Sequence, residues 1–311
     1  EGQLVVLSGG DPLVRDDLTE LVRYGTEQGL QMTLTPSGTS SLTPAVVDEL
    51  SEAGLKRLAV SLDGPSAAKH DSFRGENGSF EQTVAAARYA REQGVPLQVN
   101  TTVTKDTVDD LPEMAAVTED LGAVLWSVFF LVPIGRGRIL DPISPQKANQ
   151  VMEWLLEQSQ TRSFGVKTTE APHYRRVALQ NRADGTREQP GADEIGRRTG
   201  IRAGDGFAFV SHTGQVFPSG FLPESAGSVR EASIVDLYRD SELFQTLRDE
   251  DQFRGKCGSC EFRTVCGGSR SRAYAYTGDP LESDPLCPYV PPEYEGPLPE
   301  QRFQRADAVS D

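Results

Sequence analysis

The chain has 311 residues, 37% of them hydrophobic, and a formal net charge of −15 at pH 7. That length supports a substantial core and about two domains, while so acidic a balance repels phosphate backbones and argues against a nucleic-acid partner. No run approaches the roughly eighteen apolar residues of a membrane helix, so the expectation is a cytoplasmic protein with no membrane partner.

The chain begins at Glu1, not Met, and enters a strand-like run at once, Leu4-Val5-Val6-Leu7; a domain that opens in mid-core reads as a fragment whose natural start lies upstream. Further strand-like runs follow at 31–35, 57–62, 96–102 and 124–132. Helical patterns fall between them at 16–26, 43–53, 80–92 and 108–121. Thr43-Pro44 caps one helix start, and Gly29, Gly54, Gly94 and Gly122 stand at helix ends, where a left-handed residue closes the last turn. Five strands separated by four helices predict βα units on a parallel sheet, an α/β fold.

Beyond residue 137 the alternation changes. One more helix is expected at 145–160, then a strand-like Gly165-Val166-Lys167-Thr168-Thr169 and a polar stretch at 181–202. A hairpin at 206–217 turns at His212-Thr213-Gly214-Gln215, a helical piece at 233–248 follows, and the proline-rich 291–311 reads as an extended or disordered tail. The domain reading is therefore 1–160, a connecting segment at 161–203, a small domain at 204–290, and the tail.

All four cysteines lie near the end: Cys257-x2-Cys260-x5-Cys266-x20-Cys287. Two disulfides would suit a small secreted domain, but a chain with a large α/β half does not need such staples. The spacing points to one metal centre. Four thiolates suit a structural zinc and an iron–sulfur cluster alike, and residue types alone leave both open.

Ligands of parallel sheets collect at the carboxyl ends of the strands. The first strand ends in Ser8-Gly9-Gly10-Asp11-Pro12, where two glycines let backbone approach a ligand and Asp11 can hold an ammonium group. The third ends in Ser61-Leu62-Asp63-Gly64, followed by His70-Asp71-Ser72-Phe73-Arg74. Ser61 and Arg74 are of the types that hold a carboxylate. The fourth ends in Asn100-Thr101-Thr102 and the fifth in Val132-Pro133-Ile134-Gly135.

Ser8-Gly9-Gly10-Asp11-Pro12 resembles the Gly-Gly-Glu-Pro motif of radical SAM enzymes, with Asp for Glu. The segments 60–65 and 70–74 resemble that superfamily's fourth-strand region, and the cysteines resemble its SPASM/twitch extension. The resemblance implies a six-stranded (β/α)6 partial barrel lacking its first βα unit, so that five strands remain, followed by a small auxiliary-cluster domain. It implies that Gly9, Gly10, Asp11 and Pro12 receive the amino group of S-adenosylmethionine, that Ser61 and Arg74 bind its carboxylate with Asp63 nearby, and that Asn100, Val132 and Gly135 line its ribose and adenine.

Two departures from the family pattern stand out. The Cys-x3-Cys-x2-Cys loop of the radical-generating cluster does not occur in this chain, which fits a missing N-terminal segment. Ser219 stands where a full SPASM domain has a cysteine, and Arg270 where it has another. The four cysteines present therefore predict one auxiliary [4Fe–4S] cluster, with the radical-generating cluster expected upstream. The implied function is an oxidoreductase or maturase that forms a 5′-deoxyadenosyl radical and modifies a peptide or a tetrapyrrole haem precursor. An electron donor such as ferredoxin or flavodoxin would serve it. The alternative is a non-catalytic relative that keeps only the C-terminal cluster and acts as a scaffold.

Glu170, His173, Tyr174, Arg175 and Arg176 form a segment suited to an anionic substrate, or else a solvated arginine-rich loop. His70 and His212 read as structural, and Trp126, Phe129 and Phe130 as core. Residues 269–274 read as a short helix whose arginines offset cluster charge or face solvent.

Overall fold

The computed structural model describes residues 3–183 and 201–300. In chain order the first part runs β1 (Leu4–Leu7), α1 (Leu18–Glu27), β2 (Gln31–Leu34), α2 (Pro44–Glu52), β3 (Arg57–Ser61), α3 (Ala67–Arg74), α4 (Ser79–Glu92), β4 (Leu97–Val103), α5 (Leu111–Asp120), β5 (Leu125–Phe130), α6 (Pro145–Thr161) and β6 (Gly165–Thr169). These six strands form one sheet in sequential order, and β1 to β4 pair in parallel with registers such as Val5↔Met32 and Ser61↔Asn100. The parallel α/β sheet expected from sequence is thus present, with one correction. Gly165–Thr169, assigned above to a connecting segment, is a sixth strand of the sheet beside β5.

The local chemistry explains the elements. Thr43 Oγ1 accepts the Val46 N–H at 3.3 Å and Pro44 opens α2, satisfying one of the orphan donors of a first turn. Helix α1 buries Leu18, Val22 and Gly25. It lies so close to β2 that a Cβ on Gly25 would come within 2.3 Å of the Met32 sulfur. Trp126 is fully buried, meets Phe164 edge-on at 5.9 Å and donates its indole N–H to Thr101 Oγ1 at 2.9 Å, which gives the polar end of a core aromatic its partner.

The chain divides into two compact units: residues 1–129 with 161–167, and 130–160 with 168–311. In the second, α7 (Tyr174–Ala183) precedes a small sheet of β7 (Phe209–Val210), β8 (Gln215–Phe217) and β9 (Gly227–Ser228), paired antiparallel. Then come α8 (Ile234–Asp240), α9 (Glu242–Arg248), α10 (Gly255–Gly258) and α11 (Arg270–Thr277). The single helical piece expected at 233–248 is split by Ser241, which is extended (ψ 140°) and caps α9 through its side chain. Ala203, Leu222, Leu247, Phe253 and Leu281 make a core cluster in this unit. Of the polar stretch expected at 181–202, residues 181–183 close α7 and 184–200 lie outside the described residues. Of the expected tail, 291–300 has no helix or strand and 301–311 lies outside them.

Candidate functional site

At the carboxyl end of β1 the backbone of Gly9 (φ 127°) and Gly10 is exposed, and a Cβ built on either meets nothing within 4 Å. This is an open cradle of backbone. The Asp11 carboxylate is not free beside it. It accepts the Leu13 N–H at 3.0 Å and the Thr39 hydroxyl at 3.2 Å, while Pro12 is buried. Backbone, more than the Asp11 side chain, is what this turn offers a ligand.

The ends of β3 and β4 bring Ser61, Asp63, Arg74 and Asn100 into one neighbourhood. Ser61 pairs in register with Asn100, and the Asn100 carbonyl accepts the Leu62 N–H at 2.8 Å. The buried Asp63 accepts the Thr102 N–H at 2.7 Å through Oδ1. Its Oδ2 lies 2.8 Å from an Arg74 nitrogen, an ion pair whose angle falls short of a hydrogen bond. Arg74 is partly exposed and keeps donors for a second anion. His70 is fully buried; its Nδ1 accepts the Asp63 N–H at 3.1 Å and its Nε2 meets Ser79 Oγ at 3.3 Å. Burial holds its pKa below the ordinary value, so it is a neutral brace, as the sequence suggested. Val132 and Gly135 belong to the second unit, in a loop where the Ile134 N–H donates to Val132 O at 2.8 Å and Gly135 has φ 48°.

In the second unit all four cysteines, none in a disulfide, line a single cleft that opens to solvent. Arg176, Lys256, Arg263, Gly267, Gly268 and Tyr289 complete its lining. Gly268, at φ 71°, allows the close approach: a Cβ there would stand 3.2 Å from Cys257 Sγ and 2.8 Å from Asp284 Cβ. Burial pushes the Cys260 thiol up to about 11 and raises Cys266 and Cys287 as well, and a bound metal would displace the thiol protons. Among the described residues no three His, Cys, Asp or Glu side chains converge tightly enough to hold a single metal ion. Zinc draws four sulfurs to about 2.3 Å of one centre. A [4Fe–4S] cluster gives each thiolate its own iron, and four thiols around a cleft fit that donor arrangement.

The 170–176 segment differs from the open, substrate-facing loop considered from sequence. Tyr174, Arg175 and Arg176 begin α7. His173 is fully buried with neither ring nitrogen hydrogen-bonded, its Nδ1 3.8 Å from Asp284 Oδ2, and burial lowers its pKa to about 3. Arg176 faces the cysteine cleft. Glu170 is the one non-glycine with positive φ (55°) among the described residues. Its carboxylate accepts the hydroxyls of Ser219 (3.1 Å), Ser271 (3.1 Å) and Ser269 (2.5 Å), so Ser219, at the family's cysteine position, is tied into a hydroxyl–carboxylate network.

Arg270 and Arg272 are both buried, which excludes the solvent-facing option for them. Arg270 donates to the carbonyls of Pro280 and Glu282, each at 2.9 Å. Arg272 donates to Leu131 and Phe130 carbonyls, each at 3.0 Å, to the Glu170 carbonyl at 2.7 Å, and to both Asp284 oxygens. Sequence reasoning missed Lys256 and Asp284. Lys256 directly precedes Cys257, and that adjacency was the available signal.

Residues 2–117 match the Radical SAM superfamily profile. The chain is 43% identical over 290 residues to the AdoMet-dependent heme synthase of Methanosarcina barkeri (strain Fusaro), spanning 93% of this chain and 83% of that protein. It is 40% identical over 294 residues to the AdoMet-dependent heme synthase of Nitratidesulfovibrio vulgaris (strain Hildenborough), spanning 93% and 79%. In fold it is similar to Streptococcus suis SuiB bound to S-adenosylmethionine, with TM-score 0.70, 18% identity, and 92% and 66% of the two chains covered. Two relatives named for the product they synthesise, matched along nine-tenths of this chain, favour an enzyme over a scaffold. With the strand-end cradle and the sheet order, these matches establish that the chain belongs to the radical SAM superfamily of enzymes.

Proposed function

We propose that this protein is a radical SAM enzyme of haem formation that modifies a tetrapyrrole precursor, carrying one auxiliary [4Fe–4S] cluster on Cys257, Cys260, Cys266 and Cys287. The observation that carries the substrate class is the 43% identity to an AdoMet-dependent heme synthase across 93% of the chain. The PqqA peptide cyclase of Ruegeria pomeroyi, 38% identical over 38% of this chain, gives the other class considered from sequence, a peptide substrate, less support.

When bound, S-adenosylmethionine and its reducing cluster supply a 5′-deoxyadenosyl radical that takes hydrogen from a substrate carbon. The residues of this chain bind and orient. The exposed backbone at Gly9 and Gly10 receives the amino group of S-adenosylmethionine, with Asp11 and Pro12 stiffening the turn. Ser61 and Arg74 hold its carboxylate, Asp63 fixes Arg74, and Asn100 lines the nucleoside. The four thiolates would hold the auxiliary cluster, and an electron donor such as ferredoxin or flavodoxin would serve the enzyme. Tyr174 and Arg175, at the start of α7, remain the substrate-facing candidates of their segment.

The test is titration of the purified chain with iron coproporphyrin III, a tetrapyrrole that bears several carboxylates. Saturable binding at one equivalent, seen as a shift of the Soret band, supports the assignment. An unchanged Soret band, with binding of a peptide in its place, contradicts it.

A further inference from the structure

Two cations at the cysteine cleft have no carboxylate in a salt bridge with them among the described residues. Arg176 is only 4% exposed. Its Nη1 donates to Gln180 Oε1 at 2.5 Å and its Nη2 to Asn149 Oδ1 at 2.6 Å, both neutral amides, and its Nε has no partner. The guanidinium stands 5.3 Å over the Tyr289 ring, which also lines the cleft. Lys256 is 5% exposed, and its ammonium donates to the backbone carbonyl of Cys287. The nearby acids are already committed. Asp284 is held by Arg272 and by the N–H groups of Ser269 and Leu286, and Glu261 accepts the Tyr289 hydroxyl.

A buried charge without a partner is expensive, and two such cations beside four thiols make sense only with an anionic occupant. A thiolate-bound iron–sulfur cluster is such an occupant, and each electron added makes it more negative. Cations fixed in a desolvated wall interact more strongly with that added charge than solvated ones do, and cluster potentials respond to local charge and exposure.

Resting on the cluster assignment proposed above, we infer that Arg176 and Lys256 set the reduction potential of the auxiliary cluster by stabilising its reduced state. They are positioning charges that hold the cluster poised to accept an electron. Arg263 provides the contrast. It lines the same cleft, but its guanidinium is already paired with Asp251 at 2.9 Å and its side chain is 42% exposed, so solvent and its own partner mask its charge.

The experiment is redox potentiometry followed by electron paramagnetic resonance on the full chain reconstituted with iron and sulfide. Because the four cysteines are all the chain contains, the signal belongs to this centre. Arg176→Gln and Lys256→Met each lower the midpoint potential, Arg263→Gln lowers it less, and Arg176→Lys and Lys256→Arg restore it toward the parent value. If the neutral variants lose the cluster, the charge-keeping variants decide: parent-like midpoints in them support the inference, and lowered midpoints overturn it. Unchanged potentials in cluster-bearing Arg176→Gln and Lys256→Met overturn the inference and leave the cluster assignment standing, as does loss of the cluster in neutral and charge-keeping variants alike. Zinc in place of iron and sulfide in the parent chain sinks the cluster assignment itself and this inference with it.

Discussion

The Nδ1 atom of His70 accepts the backbone N–H of Asp63 at 3.1 Å, and the contact is possible because the residue after Asp63 has no side chain. A Cβ on Gly64 would come within 2.6 Å of the His70 nitrogen and 2.8 Å of the Lys69 carbonyl carbon. Those atoms are backbone and cannot swing aside. The turn that presents Asp63 to Arg74 is therefore built on one glycine and one neutral imidazole.

Gly64→Ala accordingly destabilises the protein by about 1–3 kcal/mol, the usual cost of forcing extra volume into a packed site. Gly10→Ala, where an added Cβ meets nothing within 4 Å, stays within about 0.5 kcal/mol of the parent. Urea unfolding of the two variants side by side separates them, and equal midpoints would contradict the packing described here.

Arg74→Gln removes the charge proposed to hold the S-adenosylmethionine carboxylate and leaves Asp63, only 2% exposed, without its ion pair. Hydrogen bonds to charged groups contribute about 1.5–3 kcal/mol, so calorimetry on the chain should show S-adenosylmethionine bound roughly 10- to 100-fold more weakly. Ser61→Ala, which deletes a neutral donor and no charge, weakens binding by less. Parent-like affinity in Arg74→Gln would remove Arg74 from the site.

His173 contributes to the pH dependence of stability. Burial lowers its pKa from 6.5 to about 3, so the unfolded chain binds a proton that the folded chain refuses. Stability is greatest above about pH 6.5 and falls progressively as pH drops from there toward 3. Melting temperatures measured between pH 7 and pH 4 should decline, and His173→Leu, which has no proton to take up, should flatten part of that decline. An unaltered slope would mean the imidazole is protonated in the folded state.

Gly268→Ala strains a backbone at φ 71° and pushes a methyl toward Cys257 Sγ at 3.2 Å and the Arg270 guanidinium at 2.7 Å. Displacing one thiol from the cleft should cost most of the iron bound per chain, as read by metal analysis. Gly278→Ala, also at positive φ but with nothing within 4 Å of its Cβ, is the matched control and should keep its iron.

The alternation of β1 to β5 with their helices was legible because each strand is a compact apolar run and each helix end carries its glycine. Ser61, Asp63 and Asn100, on β3, β4 and the turn after β3, were legible for the same reason, since parallel-sheet topology gathers such residues at one edge, and Arg74 closes the helix that follows. β6 was legible as a strand but not as a member of this sheet: Gly-Val-Lys-Thr-Thr has one strongly apolar residue, and its place in the sheet depends on β5 as a neighbour. The buried arginines were equally hidden. Arginine is among the residues least often buried, and what buries Arg270 and Arg272 is a set of carbonyls at Pro280, Glu282, Leu131, Phe130 and Glu170, which no local pattern announces. Tertiary contacts likewise turned His173 and Arg176 inward, where their residue types alone suggested an open substrate loop.

What the four cysteines hold decides the chemistry open to this protein. Iron and acid-labile sulfide should be assayed together on the anaerobically purified chain. Iron and sulfide in equal amounts, with broad visible absorbance that Cys257→Ser abolishes, is the result predicted here. A colourless chain holding one zinc and no sulfide would contradict it.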